Sequence, residues 1–284
     1  MINTFKRFFI NGIKGILNFF GYSIFISKAI NSNKISKNNE ICINIGSGDW
    51  KCDGWINLDY PTKWYAKSQS HNKFIPYDIR KDLLPFKDES VDLIYCSHVI
   101  EHIENEYIDK LFNECYRVLK TEGGGRFCCP DAEFLYEVTK TNKDYWDWRK
   151  SWFSNSRYCK INATDNLKEV DKLVAETATP KFQSYKGAIP SNFDYEAFFE
   201  NDDMNSFFER MTQDLSFRPE WPGDHINWWT FDKMKKKLQQ AGFKTVIRSK
   251  FGGSIFNEMR NISKFDTTEP QMSLYVEFIK KGEE

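Results

Sequence analysis

The strongest constraint in this chain is a series of short apolar runs, each closed at its carboxyl end by a small or acidic residue or a proline. Residues 41–45 run into Gly46-Ser47-Gly48, 55–58 into Asp59, 73–77 into Asp78, 91–95 towards Ser97, and 126–129 into Pro130. Runs this short, apolar rather than alternating, predict strands buried on both faces. Pro76 makes the third strand the weakest, because proline withholds a ladder donor. Between the fourth and fifth runs, Ile108, Leu111, Phe112, Cys115, Val118 and Leu119 recur at three- and four-residue steps, which puts them on one helical face. Gly123-Gly124-Gly125 is expected to stop that helix and turn the chain. Phe231, Met234, Leu238 and Ala241 form a later helical face, with Thr230 as N-cap, Asp232 in the first turn and Gly242 as its stop. Residues 244–251 and 273–279 read as closing strands, and the loop of about twenty residues between them is long enough to suggest a functional or mobile segment. Strands alternating with helices imply an α/β fold with a mostly parallel seven-stranded sheet covered on both faces.

Two stretches fall outside that alternation. Residues 1–39 contain six basic residues and no acid, and read as an amphipathic helical extension followed by a polar linker. Its apolar side carries Phe5, Phe8, Phe9, Ile13, Ile16, Phe19 and Phe20. Two readings stand open: a helix packed on the domain, or a peripheral contact of residues 1–30 with an anionic membrane surface. Asn11, Lys14 and Asn18 interrupt the run too often for a bilayer span. The second stretch, 132–224, is a helical insertion after the fifth strand, with helix-like segments near 167–178 and 195–212, expected to form a lid over an acceptor. The rest of 40–284 is one domain. A formal net charge of zero offers no footprint for nucleic acid. The seven cysteines form no C-x-x-C pair, which implies a reducing, cytoplasmic setting without disulfides.

Open α/β sheets bind ligands at the carboxyl ends of their strands, where Gly46/Gly48, Asp59, Asp78 and Ser97 fall. Spacing narrows the ligand. A dinucleotide site needs a long helix after the glycines, whose N-terminus holds the pyrophosphate. Ten residues separate Gly48 from Asp59, too few for that helix and then a strand. A ligand without phosphates does not need the helix end. S-adenosylmethionine is such a ligand: it needs glycine backbone beside its amino-acid portion, a carboxylate for the ribose, and an acceptor for the adenine amine.

The ordered set resembles the class I S-adenosylmethionine-dependent methyltransferases, and within them the group found with surface-polysaccharide biosynthesis. The residues that carry the resemblance are Ile43-Asn44-Ile45-Gly46-Ser47-Gly48, Gly54-Trp55-Ile56-Asn57-Leu58-Asp59, Asp78-Ile79-Arg80 and Leu84-Pro85-Phe86 through Asp92. Ser97-His98-Val99-Ile100-Glu101-His102, Tyr116-Arg117-Val118-Leu119-Lys120 and Pro130-Asp131 follow. The resemblance implies a Rossmann-like fold. It also implies that Gly46, Ser47 and Gly48 flank the methionine part of the cofactor, that Asp59 holds the ribose, that Asp78 and Ile79 frame the adenine, and that Ser97 lines the floor. Many relatives carry an acid where this chain has Asn44, so the contact to the cofactor's ammonium loses its charge here.

Methyl transfer from a sulfonium is an in-line displacement, so the enzyme mainly aligns the reacting atoms and excludes water. A hydroxyl acceptor must also lose a proton, which suits a histidine or carboxylate. His98, just past the fourth strand, and His225, in Pro222-Gly223-Asp224-His225, are both candidates for that base, with Glu101 as a further catalytic candidate. Glu101 and His102 offer two ligands for a divalent ion, and two make no site without others, so no metal is expected. His71 has no motif around it. Trp146, Trp148, Trp152, Trp221, Trp228 and Trp229 are either acceptor-stacking faces or core. The leading expectation is O-methylation of a carbohydrate or linked group in a capsule, O-antigen or glycolipid precursor. The alternatives are methylation of a small metabolite and a non-catalytic, membrane-associated assembly partner.

Overall fold

The computed structural model of the protein describes residues 40–155, 167–186 and 195–282. The N-terminal extension, with both readings of its apolar side, lies outside the described residues, as does Cys159. Within 39–284, which forms one compact unit, seven strands make one sheet: β1 (Cys42–Ile45), β2 (Trp55–Asp59), β3 (Ile75–Pro76), β4 (Val91–Ser97), β5 (Leu119–Pro130), β6 (Thr245–Arg248) and β7 (Ser273–Ile279). Their spatial order is β3-β2-β1-β4-β5-β7-β6. The first five pair in parallel, and β7 runs antiparallel to both β5 and β6. This is the mostly parallel, Rossmann-like sheet of the class I methyltransferase fold. Pro76 sits where its missing N–H is harmless, in a two-residue strand at the sheet edge.

The helix Asn105–Val118 buries Ile108, Leu111, Phe112, Cys115 and Val118 against β-sheet residues such as Ile94, Phe127 and Val276. The glycine triplet does not stop it. The helix ends at Val118, Leu119 already has extended backbone, and β5 bulges between Leu119 and Gly124, with Glu122 at φ +66°, before continuing through Gly125. Those positions lie in the middle of the sheet: a Cβ on Gly124 would meet the Phe278 carbonyl oxygen at 2.2 Å, and one on Gly125 the Ile94 oxygen at 2.6 Å. They are small because neighbouring backbone comes close. The helix Phe231–Gln240 begins as expected, with the Thr230 hydroxyl accepting from Lys233 N at 3.2 Å.

The region after β5 differs from a bare lid. Asp131 caps a helix, Ala132–Thr141, that starts directly off the strand. Leu135, Tyr136, Trp146, Val174, Phe182, Phe207, Phe208, Met211 and Trp228 then build a second hydrophobic core. The segment expected as one helix over 195–212 is two, Tyr195–Asn201 and Met204–Thr212, because the Asp203 side chain accepts from Asn205 N and Ser206 N and restarts the chain as an N-cap. Among the described residues, no helix is long and apolar enough to cross a membrane.

Candidate active site

One cleft of about 670 Å³ opens at the carboxyl ends of β1, β2 and β4, within the usual size range of small-molecule pockets. Asn44, Gly46, Ser47, Gly48, Asp59, Asp78, Ile79 and Ser97 all line it, together with His98. Glu101 and His225 do not, although His102 does.

The first wall is the turn after β1. Gly46 has φ +74° and lies against Val99, so that a Cβ there would meet a Val99 methyl at 2.1 Å; Gly48 has φ +54° with nothing within 4 Å of where its Cβ would be. Gly46 therefore answers to both backbone angle and close packing, Gly48 to angle and open space beside the cleft. Asp59, at the end of β2, braces the turn by accepting from Gly48 N at 2.7 Å and from Tyr60 N at 2.8 Å. Burial pushes its carboxyl above the usual 3.8, and these donors offset only part of the rise. Asn72 also ties the turn down, donating to Gly48 O at 3.2 Å and Trp50 O at 3.0 Å. Asn44 is buried and turned to Asn57.

On the second wall, burial works against the ionised Asp78 carboxylate, but Arg80 outweighs it and holds the group below its ordinary value. Arg80 reaches it through Nε (2.9 Å) and Nη2 (2.8 Å). The guanidinium in turn lies 3.9 Å from the centre of the Phe217 ring, so that a residue of the 132–224 region closes this end. Arg80 and Phe217 both line the cleft. Arg80 was visible in the sequence only as a motif neighbour, and Phe217 gave no signal in a segment without periodicity. Ser263, Lys264, Thr267 and Thr268 complete the rim. They come from the long loop before β7, whose length was the only sequence sign of a role.

The third wall holds the imidazoles. His98 has φ +54°; its Nε2 is 2.8 Å from Ser273 Oγ and its Nδ1 is 3.2 Å from Glu101 Oε1. Ser273 Oγ lies 2.7 Å from the Glu269 carbonyl to which it donates, so it accepts from His98. Glu101 sits in the short turn Ile100–His102 and is almost wholly buried. Burial opposes its charge, but His98, His102 and His225 together outweigh that and hold the carboxyl at about 2. His102 Nδ1 donates to Asp224 O at 2.9 Å, and His225 Nδ1 donates to Glu176 O. Burial pushes both imidazoles below 6.5, against the pull of Glu101. The two rings meet edge-on, 4.8 Å between centres. Backbone bonds from Ile226 N and Asn227 N to Glu101 O hold these segments together. None of the six tryptophans considered for acceptor stacking lines the cleft. Trp146, Trp228 and Trp229 are core, and Trp148 and Trp152 pack against it.

Residues 56–128 match the family model described as the methyltransferase domain. The chain is similar to a solved S-adenosylmethionine-dependent methyltransferase of Mesorhizobium loti, at 14% identity over 88% of this chain and 95% of that one, with a TM-score of 0.40. It is likewise similar to one from Archaeoglobus fulgidus, at 13% identity over 86% and 87% with a TM-score of 0.40. No curated protein matches the sequence. The matched segment begins after β1 and its glycine turn and ends at Cys128; it carries most of β2, β3, β4 and most of β5, and with them Asp59, Asp78, Ile79, Ser97 and His98 of the cleft. The protein is an S-adenosylmethionine-dependent methyltransferase, and S-adenosylmethionine is its cofactor.

Proposed function

We propose that the protein methylates an oxygen of a carbohydrate, or of a group linked to one, in a capsule, O-antigen or glycolipid precursor. The observation that carries this reading is the convergence of eight strand-end residues and His98 on one cleft. In it, Gly46, Ser47 and Gly48 flank the methionine portion of the cofactor, and Asn44 supplies the floor beneath them. Asp59 takes the ribose hydroxyls, Asp78 and Ile79 frame the adenine, and Ser97 lies under the sulfonium. His98, its ring held by the Nε2 bond to Ser273, is the acceptor-side base through Nδ1, and the Glu101 carboxylate beside it favours the imidazolium that forms. His225 stands behind His102 and acts through it.

The rim supports an acceptor rich in hydroxyls. Tyr60, Thr62, Tyr65, Thr267 and Thr268 bring hydroxyl groups and two aromatic faces to the cleft, a combination suited to sugar rings. The 132–224 region serves as the lid: Phe217 and Pro222 reach the cleft, and Phe217 packs against the main core of the sheet.

Isothermal titration with S-adenosylmethionine, followed by incubation with methyl-labelled cofactor and the host's sugar-nucleotide and glycan intermediates, tests the reading. Saturable binding and label in a carbohydrate fraction are expected. Label found solely in other small metabolites would reject the acceptor class; a folded protein that binds no cofactor would reject the whole assignment.

A further inference from the structure

We infer that Glu101, His102 and His225 form a binding site for one divalent transition-metal ion. One ligand atom from each lies within 4.8 Å of the other two. Each histidine spends its Nδ1 proton on a backbone carbonyl, His102 on Asp224 and His225 on Glu176. That leaves an Nε2 lone pair on each ring. The His102 lone pair is 4.0 Å from Glu101 Oε1. Neither carboxylate oxygen of Glu101 accepts an aligned hydrogen bond, and the nearest nitrogen is His98 Nδ1 at 3.2 Å. Buried Glu101 and the two half-buried imidazoles thus gather three acceptors, with His98 Nδ1 beside the carboxylate. A cation is the group that satisfies all three.

The arrangement has the marks of a ligand set rather than of a hydrogen-bond network. A histidine that binds metal through one nitrogen commonly donates the other N–H to a carbonyl or carboxylate, which fixes the ring's orientation. Both rings do so here. Two imidazoles and one carboxylate suit zinc, iron or a similar ion over magnesium or calcium, which prefer all-oxygen shells. Bonds of about 2.0–2.2 Å set neighbouring ligand atoms roughly 3–3.5 Å apart, so the three groups need to close by about 1 Å. Three protein ligands leave a coordination position open. His102 lines the cleft while Glu101 and His225 do not, so the site borders the cleft through His102. Resting on the proposed function, an ion held there would bind an acceptor through an oxygen beside the one that is methylated, which favours acceptors with two neighbouring oxygen groups.

The test reads metal binding without cofactor, so it stands or falls apart from methyl transfer. The metal-stripped full chain is titrated with Zn²⁺ by calorimetry and with Co²⁺ by visible absorption. One ion per chain is expected, with a Co²⁺ spectrum of nitrogen and oxygen ligands. His225→Ala and Glu101→Gln should each weaken Zn²⁺ binding by about 100-fold or more, at or beyond the 10- to 100-fold seen when only an outer partner of a ligand is lost. Their S-adenosylmethionine titrations serve as the check on folding. Absence of one-to-one binding to the unaltered chain would overturn the site. So would a thiolate charge-transfer band with Co²⁺, or affinity unchanged in both folded variants.

Discussion

Individual residues carry two separable demands in the turn after β1. Gly46 combines a left-handed φ with contact against Val99, whereas Gly48 has the angle alone. A left-handed non-glycine residue costs about 1–3 kcal/mol, and displacing Val99 adds to it. Gly46→Ala should therefore lower the melting temperature more than Gly48→Ala, and equal losses would refute the packing argument. Asp59 is predicted to matter for affinity. Asp59→Ala should weaken S-adenosylmethionine binding by about 1.5–3 kcal/mol, the scale of hydrogen bonds to a charged group, which calorimetry reads as roughly 10- to 150-fold in Kd. Unchanged affinity would remove it from the ribose. These positions were legible because chemistry at a strand end needs particular residue types. The Asp78–Arg80–Phe217 stack was not, since Phe217 is brought there by a segment with no periodicity to betray it.

At the scale of elements, the apolar runs gave strands because nothing but a doubly covered sheet buries them. The glycine triplet misled because a glycine required by close strand packing and one required by a turn are the same letter in a sequence. The loop between β6 and β7 was marked by length alone. Its anchor is Arg126, fully buried in β5, which pairs with Asp266 at 2.7 Å and Glu277 at 3.0 Å; this fixes the loop that supplies part of the cleft rim. A second tie is open to a pH test. Glu114, on the helix Asn105–Val118, accepts two bonds from Arg117 and one from Leu84 N at 2.9 Å. The Arg117 bonds hold its carboxyl below the usual 4.5, burial opposing them. With the folded value lowered, the unfolded chain takes up this proton first. The contribution is present in full above about pH 4.5 and is lost as pH falls through the folded value. Urea denaturation between pH 7 and pH 3 should show Glu114→Gln less stable than the parent at pH 7, with the gap narrowing on acidification. A constant gap would deny the linkage.

For the whole molecule, the cleft joins the turn after β1, the β2–β3 connection, the turn after β4, the 132–224 region and the last loop. A ligand seated there holds distant parts of the chain together. At a hundred times its Kd, S-adenosylmethionine should add about 2.7 kcal/mol to stability, a rise of roughly 5 °C in Tm for a chain of this size. No shift at saturating cofactor would contradict a binding cleft. The amino-acid order by itself determined most of the sheet and the carboxyl edge at which the cleft opens, because strand burial and residue spacing are local properties. Tertiary structure alone decided which histidines meet. Asp224, 122 positions beyond His102, is brought beside it by backbone bonds from Ile226 and Asn227 to Glu101, and His225 comes with it. Trp146, Trp228 and Trp229 became core for the same reason: what a side chain touches across the fold depends on chain crossings that no local pattern records.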